Sequence, residues 1–205
     1  MKRIEKKYVL DKKYISHILI NSKAFKEHST RTINSIYFDT NNFKDYHDNL
    51  EGTVPRKKVR IRFYGNRNIP SKSHIDNFHF EIKKTSYSSR SKHSVNIYSK
   101  FDKVLDLVNS SNFINSKRYP KSFISYQRDY YKTINNVRIT IDKNIVYNKL
   151  NNNLIISNKV FEKNFVLEVK KEIDQVDDGF EYEFLENFNT KFSKYYNSIK
   201  YNYFF

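Results

Sequence analysis

The 205 residues carry 38 Lys and Arg against 22 Asp and Glu, for a formal net charge of +16, and contain no cysteine, so disulfides, zinc ribbons and thiol catalysis are excluded. Glycine occurs only at positions 52, 65 and 179, too few for a Walker A loop or a dinucleotide fingerprint, and the six histidines form no His-x-x-x-His pair. Only 38% of residues are apolar, but 17 Phe and 17 Tyr can supply a core, so the length is expected to fold as one domain over residues 1–205.

In chain order, Arg3 to Leu10 alternates polar and apolar positions and reads as a strand. Asp11 is placed to cap a helix whose apolar stripe is Ile15, Ile18, Leu19 and Phe25. Thr32 to Thr40 reads as a second strand, Asn41 to Pro55 as a loop or short helix, and Arg56 to Tyr64 as a third strand. Gly65 to Asn77 is a connection, Phe78 to Lys84 a fourth strand, and Tyr87 to Ser94 a serine-rich basic stretch. Ser99 to about Asn112 is expected to be helical through Phe101, Val104, Leu105 and Val108. Further strands are expected at Ser122 to Thr133, Val137 to Asp142, Leu154 to Phe161 and Phe165 to Lys171. An acidic loop at Gln175 to Gly179 precedes a last helix, Glu181 to about Tyr201, with Tyr182, Leu185, Phe188, Phe192 and Ile199 on its apolar side. On that helix Lys191 and Lys194 would share a face. Strands close together in sequence make the sheet mainly antiparallel, in an α+β class.

No apolar run approaches the ~20 residues of a membrane helix, and no apolar signal follows Met1, so the expectation is a soluble, cytoplasmic protein. Asn, Lys, Ile and Tyr are all favoured by AT-rich codons, so bulk charge says little and the placement of charge has to carry the argument. The polar strand faces show Glu5 and Lys7, then Lys58, Arg60 and Arg62, then His79, Glu81 and Lys83. They continue with Arg128, with Arg138, Thr140 and Asp142, and with Glu168 and Lys170. A wet face of an antiparallel sheet is the simplest explanation, yet these faces carry mostly full charges in place of Ser, Thr or Gln. Closing the sheet would gather Lys7, Arg60, Arg62, Lys83, Arg128, Arg138 and Lys170 with Glu5, Glu81 and Glu168, a balance of +4. Buried like charges are costly unless paired, and phosphate chains suit such a lumen because arginine forks bind phosphate oxygens two at a time. The carboxylates then fit a divalent metal bridging to phosphate, as phosphoryl transfer requires. A nucleic-acid groove would avoid those carboxylates, so a non-catalytic polyanion-binding module is the weaker alternative and no nucleic-acid partner is expected.

Eight segments occur in order: Arg3-Ile4-Glu5-Lys6-Lys7-Tyr8-Val9, Ser35-Ile36-Tyr37-Phe38-Asp39, Val59-Arg60-Ile61-Arg62-Phe63-Tyr64-Gly65, Phe80-Glu81-Ile82-Lys83, Tyr126-Gln127-Arg128, Val137-Arg138-Ile139-Thr140-Ile141-Asp142, Val166-Leu167-Glu168-Val169-Lys170 and Lys191-Phe192-Ser193-Lys194-Tyr195. Together they resemble the VTC domain, the polyphosphate polymerase branch of the triphosphate tunnel metalloenzymes. The resemblance implies a closed antiparallel β tunnel barrel with a few flanking helices. It implies transfer of the terminal phosphate of ATP to a growing polyphosphate chain, with Mn2+ or Mg2+ as cofactor. By position it makes Lys7, Arg60, Arg62, Lys83, Arg128 and Arg138 phosphate ligands and Glu168 the metal ligand, with Glu5 and Glu81 as further candidates. Lys191 and Lys194 would sit near the tunnel end, with Lys170, Arg90 and Lys92 as additional substrate contacts. The sister branch opens with Glu-x-Glu-x-Lys, where this chain has Arg3, and a triphosphatase of the same fold is the nearest alternative. Fungal members attach an SPX domain and membrane helices, neither of which is in this sequence; a membrane or accessory partner is left open.

Overall fold

The computed structural model describes residues 3–110, 116–172, 185 and 187–205. The strands are β1 (Arg3–Leu10), β2 (Phe25–Asp39), β3 (Arg56–Tyr64), β4 (Ile75–Thr85), β5 (Arg90–Lys100), β6 (Tyr119–Lys132), β7 (Arg138–Leu150), β8 (Ile156–Phe161) and β9 (Phe165–Glu172). The α-helices among the described residues are α1 (Lys12–Asn21), α2 (Lys44–Leu50), α3 (Phe101–Ser110) and α4 (Lys194–Ile199), the last continuing as a π-helical turn over Lys200–Phe204. The strand order is β1-β9-β7-β6-β2-β3-β4-β5 with β8 on β7. Each pair with a defined register here, β1/β9, β7/β9, β2/β3, β3/β4 and β4/β5, is antiparallel. A closed barrel would need a backbone ladder between β1 and β5. Among the described residues no such ladder is present, so the closed barrel that the resemblance implies is not confirmed by the pairings.

The chain divides into two compact units. The first is drawn from residues 1–32, 126–145 and 161–193. Its core packs Tyr8 and Leu10 of β1, Ile15 and Ile18 of α1, Ile139 and Ile141 of β7, and Leu167 and Val169 of β9. The odd positions of β1 are thereby left to the polar face, as alternation requires. The Asp11 carboxylate accepts from the Lys13 amide at 3.0 Å and caps α1. The helix stops at Ser22, so Phe25 opens β2 at 52% exposure and does not join the helical stripe.

The second unit is drawn from residues 33–125, 146–160 and 194–205. Its core is aromatic. Phe63 lies 5.8 Å from Phe78 and 6.2 Å from Phe123, and Phe78 lies 5.3 Å from Phe101 of α3. Each fully buried ring contributes about 1.5–3 kcal/mol, which offsets the low aliphatic content.

Four expectations change. β5 is a full strand where the serine-rich stretch gave no apolar alternation. Its eleven residues pair one-for-one with β4, and the turn closes through Ser86 N–H to the Ser89 carbonyl at 2.8 Å. β7 runs on past Asp142 to Leu150 because Ile145, Val146 and Tyr147 are buried. β2 begins at Phe25, seven residues before the expected start. The expected last helix is interrupted over residues 187–193, and among the residues that follow only Lys194–Ile199 is α-helical. Asn189 bridges to Tyr8, Thr190 N–H donates to the Lys7 carbonyl, and Val9 N–H donates to the Phe188 carbonyl. Residues 188–190 are therefore held along β1, and Lys191 precedes the helix that Lys194 opens. The acidic loop Gln175 to Gly179 and Tyr182 lie outside the described residues. No described helix is long and apolar enough to cross a membrane.

Candidate functional site

In the second unit, the β2–β5 ladder sets side chains in rungs. Tyr37, Arg60, Glu81 and Ser94 are successive register partners. Glu81 is 3% exposed, and its Oε2 accepts from Arg60 Nε at 2.6 Å and from Nη2 at 2.5 Å. Its Oε1 lies 2.5 Å from Lys92 Nζ and 3.9 Å from Arg62 Nη1. Burial pushes the Glu81 carboxyl up, but Arg60, Arg62 and Lys92 outweigh it and hold it at about 2. Arg60 Nη1 donates to the Tyr37 hydroxyl at 2.8 Å. Burial raises that phenol too, yet Arg60, Arg62 and Lys83 bring it down to about 8. Three cations around one carboxylate leave an excess of positive charge that an anion can neutralise.

The next rung along the same face is Lys58, Lys83 and Lys92, and the one after it Arg56, Thr85 and Arg90. These rungs extend the positive face along the strands, with Lys83, Arg90 and Lys92 exposed to solvent, which moderates the repulsion of like charges set opposite one another.

In the first unit, β1, β9 and β7 align Lys7 with Glu168 and Thr140, and Glu5 with Lys170 and Arg138. Glu168 is buried, takes a short ion pair from Lys170, and lies 4.0 Å from Arg128. Burial raises its carboxyl, and Lys170, Lys7 and Arg128 reverse this and hold it at about 2. Arg128 makes a two-pronged pair with the fully buried Asp142, Nε to Oδ1 at 2.5 Å and Nη2 to Oδ2 at 2.7 Å. Burial alone would lower the guanidinium, but Asp142, Tyr126 and Glu168 raise it well above its ordinary value. Glu5 lies 3.0 Å from Lys7 and 3.7 Å from Lys170. Arg138 is exposed beside Lys170.

The structure thus brings Arg60, Arg62, Glu81 and Lys92 together in one unit, with Lys83 and Arg90 on neighbouring rungs. It brings Lys7, Glu5, Arg128, Glu168 and Lys170 together in the other, with Arg138 at their side. Lys191 belongs to the first unit and Lys194 to the second. Sequence reasoning left out Asp142 as the partner of Arg128, although Asp142 stands on the same strand face as Arg138. It also left out Tyr37, which the alternation of Ser35, Tyr37 and Asp39 on β2 could have flagged. Arg118 carried no signal at all.

Mn2+ or Mg2+ is commonly held by one or two carboxylates plus substrate phosphates. Among the described residues no three His, Asp or Glu side chains come together. Glu168 and Glu5 fit the sparser arrangement, since both reach the Lys170 ammonium and Glu168 is ionised at neutral pH. Glu81 and Glu168 each face three cations, but Glu168 shares Lys170 with a second carboxylate, Glu5, whereas the two oxygens of Glu81 are taken by Arg60 and Lys92.

Both low carboxyls make a stability prediction. Each sits below its unfolded value, so its contribution is complete above pH ~4.5 and is lost as pH falls toward about 2. Glu81→Gln should therefore be less stable than wild type at pH 6, with the gap of up to ~3 kcal/mol closing by pH 2 in denaturant melts. A gap that does not vary with pH would refute the ion-pair account.

The fold is shared with solved structures of low sequence identity. PH1819 protein from Pyrococcus horikoshii OT3 superposes with a TM-score of 0.56 at 13% identity, covering 98% of this chain and 100% of that one. A Vibrio parahaemolyticus protein named for adenylate cyclase gives 0.53 at 11%, covering 94% and 95%. HpAC1 from Hippeastrum, described as revealing a dominant triphosphatase activity, gives 0.52 at 13%, covering 96% of each chain. No curated protein matches the chain. Residues 2–203 match the VTC domain, and the chain belongs to that family.

Proposed function

We propose that the protein is a metal-dependent phosphotransferase that moves the terminal phosphate of ATP onto a polyphosphate chain and releases ADP. The observation that carries this reading is the run of basic rungs on one face of β3–β5. From Arg62 through Arg60 and Lys58 to Arg56 there are three same-face steps of roughly 6.8 Å each, about 20 Å of cationic track. That is longer than three linked phosphoryl groups, and it supports a polymeric substrate. Arg60, Arg62, Lys83, Lys92 and Arg90 would contact phosphates in this unit, joined by Lys194.

In the other unit Lys7, Arg128, Arg138, Lys170 and Lys191 would do the same, and Glu168 with Glu5 would hold Mn2+ or Mg2+. When bound, the metal would neutralise phosphate charge. We assign Glu81 to holding the Arg60 guanidinium in place. No protein nucleophile is required, because an acceptor phosphate oxygen attacks and the side chains align and neutralise.

A triphosphatase is the second reading. The Arg60–Arg62 cluster alone could seat a triphosphate, and the fold is shared with HpAC1. Incubation with ATP and Mn2+ separates the readings: chain growth supports the polymerase, orthophosphate alone the triphosphatase, and unchanged ATP a binding module.

The track makes a further prediction. Lys58→Ala with Lys92→Ala should weaken long polyphosphate about tenfold or more in low salt but tripolyphosphate less. Equal losses for both ligands would argue against a track.

A further inference from the structure

Tyr195 of α4 stacks on Tyr37, with ring centroids 5.1 Å apart and planes 21° from parallel. Its hydroxyl donates a short hydrogen bond to the Asp39 carboxylate. Asp39 is fully buried and is held from several sides. It accepts the Thr40 amide at 2.7 Å, the Asp45 amide at 3.0 Å and the Tyr46 amide at 3.1 Å, and lies 3.5 Å from the Arg118 guanidinium. Arg118 is also buried and pairs closely with Asp45. A carboxylate with this many donors has one orientation available, so the Tyr195 ring has one as well. The Tyr37 hydroxyl in turn accepts from Arg60 Nη1, while Arg60 Nε and Nη2 are taken by Glu81.

We propose that Tyr195 is a positioning residue: anchored by Asp39, it holds the Tyr37 ring so that Arg60 presents its guanidinium to phosphate in a single orientation. The proposal deepens the phosphate reading and rests on it for Arg60. An arginine fork binds phosphate through geometry as much as charge, so loss of its orientation costs affinity although the charge remains. The anchor lies on α4, so that helix gains a positioning role in phosphate binding, carried by a residue that does not itself touch the ligand.

Two variants test this. Tyr195→Phe keeps the stacked ring and removes the tether to Asp39; Tyr195→Leu removes both. The first readout is the alkaline titration of Tyr37 by phenolate absorbance, assigned by its disappearance in Tyr37→Phe. It is expected at about 8 in wild type and should move toward the ordinary value of 10.0 in Tyr195→Leu as Arg60 drifts away. The second is tripolyphosphate affinity by calorimetry, which should fall about threefold in Tyr195→Phe and about tenfold in Tyr195→Leu. In an Arg60→Gln background Tyr195→Leu should add nothing further.

A Tyr37 midpoint unchanged in both folded Tyr195 variants overturns the proposal, and that readout needs no phosphate. Additive losses with Arg60→Gln overturn it as well. Should wild type fail to bind tripolyphosphate while the Tyr37 midpoint still moves, the phosphate reading falls and the positioning of Arg60 by Tyr195 stands.

Discussion

Glu168→Gln is expected to lower Mn2+-dependent polyphosphate synthesis from ATP by on the order of 10²–10³-fold while the protein stays folded. The fold should survive because the partners of Glu168 have others: Arg128 keeps its fork with Asp142, and Lys170 keeps Glu5 at 3.7 Å. The substitution also removes a negative charge from beside Lys7, Lys170 and Arg128. Metal-free affinity for tripolyphosphate should therefore hold or rise. That opposite sign separates a metal ligand from a phosphate ligand, whose loss would weaken both activities. Synthesis rates followed by phosphorus NMR, beside metal-free calorimetry, check the pair of expectations. Wild-type synthesis by the variant would remove Glu168 from the mechanism.

Arg118→Met should give the largest stability change, a loss of about 3–5 kcal/mol. The side chain is fully buried, and its guanidinium is what compensates Asp39 and Asp45. Asp45 is already strained toward neutrality. Burial and the nearby Asp39 raise its carboxyl to about 6, and Arg118 is the chief influence opposing them. Without the cation two carboxylates share a dry site. For a chain of this size the loss corresponds to a melting point lower by roughly 6–20 °C. Adding Asp45→Asn should recover part of it, since one buried charge is then gone. A melting point within 2 °C or so of wild type, on the order of measurement error for a surface change, would show that the network contributes little.

Much of the scaffold was legible because strand alternation is a local property. Arg3–Leu10 and Arg56–Tyr64 have the same bounds in sequence and structure, since each carries apolar side chains on one face and charges on the other. The same alternation placed Glu5, Lys7, Arg60, Arg62, Glu81, Glu168 and Lys170 on polar faces. It failed where neither face is apolar. β5 has almost no buried side chain, and only its backbone ladder to β4 makes it a strand. The apolar spacing from Leu185 to Ile199 suggested a long helix, but backbone bonds from residues 188–190 to β1 hold part of it extended.

Pairing was the harder matter. Charges on a face could be counted from residue types, giving an expected cationic excess; their partners could not. Arg128 is matched by Asp142, which a count of exposed faces passed over, and Arg118 sits in a loop-flanked stretch where nothing local marks it as a buried ion. The linear chain, then, determined which side chains share a strand face and that these faces are too highly charged for mere solvation, because alternation needs only neighbours two residues apart. Tertiary structure alone decided which cation meets which carboxylate, and tied Tyr195 to Tyr37 across more than 150 positions. Ion-pair energy depends on separation in space and on burial, and neither is written in the order of residues.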